Sequence, residues 1–288
     1  YRYDEAANKN AFLAEFGPLC TAIVMNGHAD LTRSMLEHLP KLEIVACSSA
    51  GYETIDVAAL EERGIRLTNT SDALFDDVAD LALLLVLATR RQLVHAHNYV
   101  VSGDWARKGM YPLLNSTKGK KLGIVGMGHI GQAIADRCEP LKVEIGYFGR
   151  TRKDHIPYQY FQDLVALAKW ADIMVLAVAG GAGTKNLINA EVLKALGPEG
   201  TLVNVARGTV VDEPALIAAL SSGELGSAGL DVFWNEPDPD PALTSLPNVT
   251  LYPHHASGTV ETRDAMAQLV VLNLEAHFSG KPLLTPVL

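Results

Sequence analysis

The stretch Lys121-Leu122-Gly123-Ile124-Val125-Gly126-Met127-Gly128-His129-Ile130-Gly131-Gln132-Ala133-Ile134-Ala135 decides the fold. An apolar run that reads as a strand passes straight into G-x-G-x-x-G, and a helical pattern follows at once. In that setting each glycine has its own task. Gly126 permits a tight turn, Gly128 lets the backbone approach a pyrophosphate, and Gly131 lets the helix pack closely on the strand. The helix start offers unpaired N–H groups and a positive dipole end to phosphates. The spacing therefore predicts a dinucleotide site, with Met127, His129 and Ile130 in the turn beside the glycines.

Outward from this unit, strands and helices alternate. Strand-like runs at Val143–Phe148, Ile173–Val178, Leu202–Val205, Ala228–Leu230 and Val249–Tyr252 are separated by helical stretches at Tyr160–Lys169, Ala190–Leu196 and Glu213–Ser222. Thr184–Ile188 reads as the start of a further helix. Alternation of this kind predicts a parallel, doubly wound sheet of the Rossmann type. The first third carries three more strand-like runs, Thr21–Met25, Glu43–Cys47 and Ile65–Thr68, around helical stretches at Leu31–His38 and Ile55–Arg63. That is a small α/β unit. A long helix is predicted from about Asp76 to Val101, ended by Gly103, and a last helix from Val260 to Phe278 precedes the tail Lys281–Leu288. The expected domains are residues 1–75 completed by 260–288, and residues 76–259.

The chain has 288 residues, 48% hydrophobic and 20% charged, with 24 basic against 33 acidic residues for a net charge of −9. Such a surface repels nucleic acid and anionic membrane as a whole, so neither is an expected partner. The apolar run Val78–Thr89 is broken by Asp80 and is too short to span a bilayer. A helix apolar nearly all round is buried in a core or in a subunit interface. Cys20, Cys47 and Cys138 are scattered, the pattern of buried thiols in a reducing compartment such as the cytoplasm. His95 and His97 stand two apart, on different sides of a helix, and make a poor metal pair. No other ligand cluster suggests a metal, and there is no phosphate-binding P-loop or serine elbow.

The second cofactor signature of this fold is an acid about 20 residues past the glycines, which binds the ribose 2′-hydroxyl. Here the second strand ends Tyr147-Phe148-Gly149-Arg150-Thr151-Arg152-Lys153, and Gly149 takes the acidic place. A carboxylate would repel a 2′-phosphate, whereas a guanidinium fork pairs with it. The segment predicts NADP(H) in preference to NAD(H).

Three later strands each deliver one ionisable residue just past an apolar run: Arg207 in Asn204-Val205-Ala206-Arg207-Gly208, Glu236 in Gly229-Leu230-Asp231-Val232-Phe233-Trp234-Asn235-Glu236-Pro237, and His254 in Pro253-His254-His255-Ala256-Ser257-Gly258. Ligands of open parallel sheets collect outside those ends. In order and spacing these segments, with the glycine motif, resemble the D-isomer-specific 2-hydroxyacid dehydrogenases, over nearly the whole chain. Members usually begin with another strand and helix before the region that matches Tyr1. Within the family, the NADP-linked glyoxylate/hydroxypyruvate and hydroxyphenylpyruvate reductases are the nearest in pattern.

The resemblance implies a smaller, flavodoxin-like substrate domain, a cleft between it and the Rossmann domain, and a homodimer seamed by the long helix. It implies a trio in which Arg207 grips the substrate carboxylate and carbonyl, His254 exchanges the proton, and Glu236 fixes the histidine's tautomer. His255 is the rival acid, but the residue directly after the proline matches the family. Backbone amides of Ser49, Ala50 and Gly51 would meet the substrate carboxylate. Val178, Ala179, Val205, Ala206, Arg207, Asp231, His254, Ala256 and Ser257 would border the cofactor. Trp105, Met110 and Tyr111 are candidates for pocket lining, or for core or interface packing. The expected reaction is NADPH-dependent reduction of small 2-oxo acids, glyoxylate or hydroxypyruvate, to D-2-hydroxy acids. The alternatives are a reductase of bulkier acids (phenylpyruvate, hydroxyphenylpyruvate, 2-ketogluconate) or a non-catalytic cofactor sensor on the same fold.

Overall fold

A computed structural model describes residues 1–288 and divides them into two units, Tyr1–Leu74 with Ser257–Leu288, and Phe75–Ala256. In the first, strands β1 (Ala22–Met25), β2 (Ile44–Cys47) and β3 (Arg66–Thr68) pair in parallel in that order. β2 is buried along its whole length, as a central strand covered on both faces must be. Helices α1 (Lys9–Phe16), α2 (Arg33–Glu37) and α3 (Val57–Glu62) begin at Asn8, Thr32 and Asp56, whose side chains each accept a bond from a backbone N–H three residues on. The C-terminal helix, Val260–Phe278, packs on β2. Its Asn273, fully buried, fastens the tail: Oδ1 accepts from the N–H of Leu284 and Thr285, and Nδ2 donates to the Thr285 hydroxyl at 2.9 Å.

The larger unit runs α4 (Phe75–Arg90), α5 (Leu93–Val101), α6 (Asp104–Lys108), β4 (Lys121–Val125), α7 (His129–Cys138), β5 (Glu144–Phe148), β6 (Gln159–Phe161), α8 (Leu164–Trp170), β7 (Ile173–Leu176), α9 (Ala190–Leu196), β8 (Thr201–Asn204), α10 (Glu213–Ser222), β9 (Ser227–Leu230), α11 (Pro241–Thr244) and β10 (Val249–Leu251). Its seven strands form one sheet in the order β10-β9-β8-β7-β4-β5-β6, and every pairing is parallel. The chain winds outward from β4 to β6, returns, and winds the other way from β7 to β10. The reversal lies between β4 and β7, where such sheets open a crevice at their carboxyl ends. α4 packs beside α7 and across β8–β10. Gly229 allows that approach, since a Cβ there would lie 2.7 Å from the Thr89 hydroxyl. No helix is long and apolar enough to cross a membrane.

Helices α1, α6 and α11 add to the sequence reading, and three of its elements are changed. The helix expected from Asp76 to Val101 is two helices, broken at Gln92 in a left-handed conformation (φ 45°). The break accompanies tertiary bonds: the buried Arg90 donates to the Ser116 carbonyl and the Thr201 hydroxyl, and Gln92 Oε1 accepts from the Tyr111 hydroxyl at 2.9 Å. α4 buries nine residues and α5 none, so an apolar pattern continuous in sequence serves two environments.

The helix expected to start at Tyr160 is preceded by the edge strand β6, too short to show a period of its own. Its Tyr160 hydroxyl donates to the Gly149 carbonyl at 3.2 Å, and the helix starts only after Asp163, which caps it. Thr184–Ile188 is a turn and not a helix start. Asn186 has φ 53°, the Asn186 N–H donates to the Thr209 carbonyl, and Ile188 pairs with Val211 before Asn189 caps α9.

Candidate active site

The glycines of the β4–α7 turn sit in three distinct environments. Gly126 has φ 98°, and an added Cβ would lie 2.7 Å from the Ala177 carbonyl oxygen and 2.8 Å from Val178 Cγ1. Gly131 would press a Cβ to 2.0 Å from the Gly126 oxygen, so only glycine lets α7 lie so close to β4. At Gly128 a Cβ would meet nothing within 4 Å, so the space over the turn is open. No side chain caps α7. A constrained turn, an open approach and an uncapped helix start are what a pyrophosphate requires. Met127 is buried beneath the turn, and His129 stands edge-on to Phe75. Val178 and Ala179 follow β7 after one residue, Ala177, across the winding reversal from Gly126.

After β5 the chain turns through Gly149, whose Cβ position has only the Thr151 oxygen nearby, at 3.8 Å. Arg150, Thr151 and Arg152 are exposed. The turn is held from outside the arginines: the Tyr160 hydroxyl donates to the Gly149 carbonyl, and the Lys153 N–H donates to the Tyr147 hydroxyl at 2.9 Å.

At the carboxyl end of β8 the buried Asn204 shapes the chain. Its Oδ1 accepts from the Ala206 N–H and its Nδ2 donates to the Arg207 carbonyl, both at 3.0 Å, which fixes Val205–Arg207 in a side-chain-closed turn. Arg207 Nη1 donates to the Ala206 carbonyl at 2.7 Å, and its side chain is half-buried. Gly208 brings this loop against the next one: a Cβ would lie 2.0 Å from the Phe233 oxygen. In that second loop the Phe233 N–H donates to Glu236 Oε1 at 2.8 Å, and the Trp234 N–H donates to Glu213 Oε2 at 3.0 Å. Glu236 Oε2 then meets His254 Nδ1 at 2.5 Å.

His254 is itself unusual, with φ 46°, a left-handed conformation that costs energy for a residue with a Cβ. Asp231 holds it there. The Asp231 carbonyl accepts from the His254 N–H at 2.7 Å, while Oδ1 and Oδ2 accept from the N–H groups of His255 (2.9 Å) and Ala256 (3.3 Å). The Asp231 side chain is 1% exposed, and burial pushes its carboxyl up from its ordinary value, opposed by those N–H bonds and by His254. His255 joins this arrangement through its backbone, and the ring that faces Glu236 belongs to His254.

In the smaller unit the loop after β2 orders its own dipoles. The carbonyls of Ser49, Ala50 and Gly51 accept from Thr70 N–H, Asn69 Nδ2 and Ser49 Oγ respectively. In a trans peptide the next N–H faces the opposite way, so the amides of Ala50, Gly51 and Tyr52 point away from those partners. Gly27 makes room for this loop, since a Cβ there would lie 2.0 Å from the Gly51 oxygen. Ser257 begins the segment that returns to this unit.

Sequence reasoning passed over Glu213 and took Asn204 only as part of a motif. The one available signal was an Asn at a strand end, the residue that closes such turns. Trp105 is 62% exposed and Met110 84% exposed, so neither is a core residue. Tyr111 packs edge-on to Tyr99.

A doubly wound parallel sheet, a dinucleotide turn at its reversal, and a carboxylate-paired imidazole beside an arginine loop define a nucleotide-dependent dehydrogenase. Residues 83–256 match the family model described as the D-isomer specific 2-hydroxyacid dehydrogenase, NAD binding domain. The chain is 48% identical over 287 residues to a hydroxyphenylpyruvate reductase of Plectranthus scutellarioides, covering 100% of this chain and 91% of that one. It is 46% identical over 286 residues to a glyoxylate/hydroxypyruvate reductase of Arabidopsis thaliana, covering 99% and 91%. The crystal structure of an NADPH-dependent glyoxylate/hydroxypyruvate reductase from Sinorhizobium meliloti, in complex with NADP and malonate, superposes with a TM-score of 0.91 at 42% identity, covering 99% of this chain and 87% of that one. The chain belongs to the D-isomer-specific 2-hydroxyacid dehydrogenase family. It is an NAD(P)-dependent oxidoreductase.

Proposed function

We propose that this enzyme reduces small 2-oxo acids, glyoxylate and hydroxypyruvate foremost, to D-2-hydroxy acids with NADPH. The observation that carries the reading is the 2.5 Å contact between His254 Nδ1 and Glu236 Oε2, beside the Arg207 loop. With Nδ1 engaged by the carboxylate, Nε2 is the atom that exchanges a proton. Glu236, itself oriented by the Phe233 N–H, stabilises the imidazolium. His254 gives that proton to the oxygen of the substrate carbonyl as C2 is reduced, and takes it back in the oxidation direction. Arg207 binds the carboxylate and polarises the carbonyl. The amides of the Ser49, Ala50 and Gly51 loop are assigned, on the family resemblance, to bind a carboxylate. The nicotinamide, when bound, supplies the hydride. Gly126 to Ile130, Val178, Ala179, Val205, Ala206, Asp231, Ala256 and Ser257 are the residues assigned to hold the dinucleotide.

A panel of 2-oxo acids compared by kcat/KM tests the substrate. Highest values for the two- and three-carbon acids are expected. A clear preference for hydroxyphenylpyruvate, which the 48% identical relative is named for, would replace this choice with the bulkier one.

The preference for NADPH rests on the Gly149 turn, which offers two exposed guanidinium groups and no carboxylate. A relative crystallised with NADP supports it. Each charged hydrogen bond to a phosphate contributes about 1.5–3 kcal/mol, so Arg150→Ala is expected to raise the KM for NADPH by roughly ten- to a hundredfold. The KM for NADH should stay unchanged, and equal losses for both cofactors would remove Arg150 from the 2′-phosphate.

A homodimer seamed by α4–α6 completes the proposal. Leu84, Leu93, Val94, Val101 and Trp105 on this stretch are each between 48% and 72% exposed, an apolar surface that a monomer rarely leaves in water. Sedimentation equilibrium should give twice the chain mass, and a monomer at micromolar concentration would discard this element.

A further inference from the structure

The residues assigned to the chemistry stand at the carboxyl ends of β8, β9 and β10. The amino ends of the same three strands frame a cavity of about 320 Å³, within the range of small-molecule sites, which begins at roughly 300 Å³. Arg90, Gln92, His95, Asn115, Thr201 and Asn248 are among the residues that line it. Thr201 is the first residue of β8, and the left-handed break at Gln92 ends α4 over the cavity.

Arg90 is 7% exposed. A buried guanidinium is costly unless a carboxylate pairs with it, and none lies within ion-pair distance of Arg90. Asp172, whose field reaches it, is instead engaged by Lys120 Nζ at 3.1 Å and the Lys121 N–H at 2.9 Å. Of the five guanidinium N–H bonds, one goes to the Ser116 carbonyl at 3.0 Å and one to the Thr201 hydroxyl at a long 3.4 Å. Nε is buried with no partner. Burial pulls the guanidinium down from its ordinary pKa, although Asp172 and Glu199 act to raise it. What this side chain lacks is an oxygen pair matching its planar fork. Gln92 and Asn115 add neutral polar groups to the wall, and His95 adds an imidazole. The acid on the lining is the exposed Glu199.

We propose that this cavity binds a small oxyanion, a carboxylate or inorganic phosphate, on the guanidinium of Arg90 at the amino ends of β8–β10. The site is separate from the reaction centre and uses none of its residues.

Equilibrium dialysis of the full chain against phosphate, with glycolate as the carboxylate arm, tests the proposal. Ionic strength is held constant. The protein is saturated with dinucleotide, which fills the phosphate positions, and carries Arg207→Met, which weakens the substrate carboxylate position, so the binding that belongs to the cavity is the part that responds to Arg90 and Glu199. One further site is expected. Glu199→Gln, at an exposed position that does not threaten folding, removes a repelling charge and should tighten binding about threefold. Arg90→Lys keeps the charge and loses the fork, and should weaken binding about tenfold or more. Whichever arm saturates names the source of the oxyanion. Crystals soaked in selenate should show an anomalous peak within hydrogen-bond distance of the Arg90 guanidinium. No peak there, or binding of both anions indifferent to Glu199→Gln, would overturn the proposal.

Discussion

Replacing His254 with alanine should lower kcat for 2-oxo acid reduction by about a hundred- to ten-thousandfold, the range contributed by a positioned general acid, while NADPH affinity stays within about twofold. The effect is large because nothing nearby can take over. Glu236, the nearest ionisable group, contacts the imidazole and the Phe233 N–H, where it can orient a proton donor but not replace one. His255 holds its place through its N–H to Asp231, and its ring does not share the carboxylate. Cofactor binding should survive, since the dinucleotide turn follows β4 and owes its form to Gly126 and Gly131. Glu236→Gln should give a smaller loss than His254→Ala, because the amide can still accept from Nδ1 but cannot stabilise the charged ring. Turnover by His254→Ala within about tenfold of the parent would remove this residue as the acid. A loss of cofactor affinity equal to the loss of kcat would instead mark a structural role.

The parts of this centre legible in the sequence are those whose requirements are local. Gly126 needs its glycine for a positive φ, and Gly131 needs its own for the contact with Gly126, five residues away. Those demands print a motif. β7 and β8 are buried along their whole length and β4 along all but its first residue, and β7 prints an unbroken apolar run. Arg207, Glu236 and His254 could be placed at strand ends because each follows a mostly apolar stretch within a few residues.

Features set by distant partners left no comparable mark. The break at Gln92 accompanies the bond between Arg90 and Thr201, which are 111 positions apart. β6 exists because β5 offers it an edge, and three residues carry no readable alternation. Asp231 in the sequence is one acid after one strand. Only the fold reveals that its two oxygens and its carbonyl hold three successive residues and keep His254 in the left-handed region. The same is true of Glu213, a helix's first residue that turns out to hold the Trp234 N–H in the Glu236 loop.

Arg207→Met should lower kcat/KM for a 2-oxo acid by about a thousandfold, since truncating one partner of a desolvated charge pair costs roughly 2–5 kcal/mol and every 1.4 kcal/mol is tenfold. The loss should divide between KM and kcat. A carboxylate contact made in the bound substrate would act on KM. A contact to the carbonyl oxygen that strengthens as charge develops there would act on kcat. Lysine at this position should recover no more than about tenfold, because an ammonium restores the charge without the planar pair of donors. The uncharged amide of the same 2-oxo acid separates this role from a general disturbance of the loop. The parent enzyme should discriminate strongly against the amide, and Arg207→Met should scarcely distinguish acid from amide. A variant that lost the same factor on both would show that the guanidinium shapes the Asn204–Gly208 turn and does not bind the carboxylate. The turn is closed by the Asn204 side chain and by the fit of Gly208 against Phe233, and the guanidinium adds one bond to it, Nη1 to the Ala206 carbonyl at 2.7 Å, so any loss through the turn should be small beside the loss of the carboxylate contact.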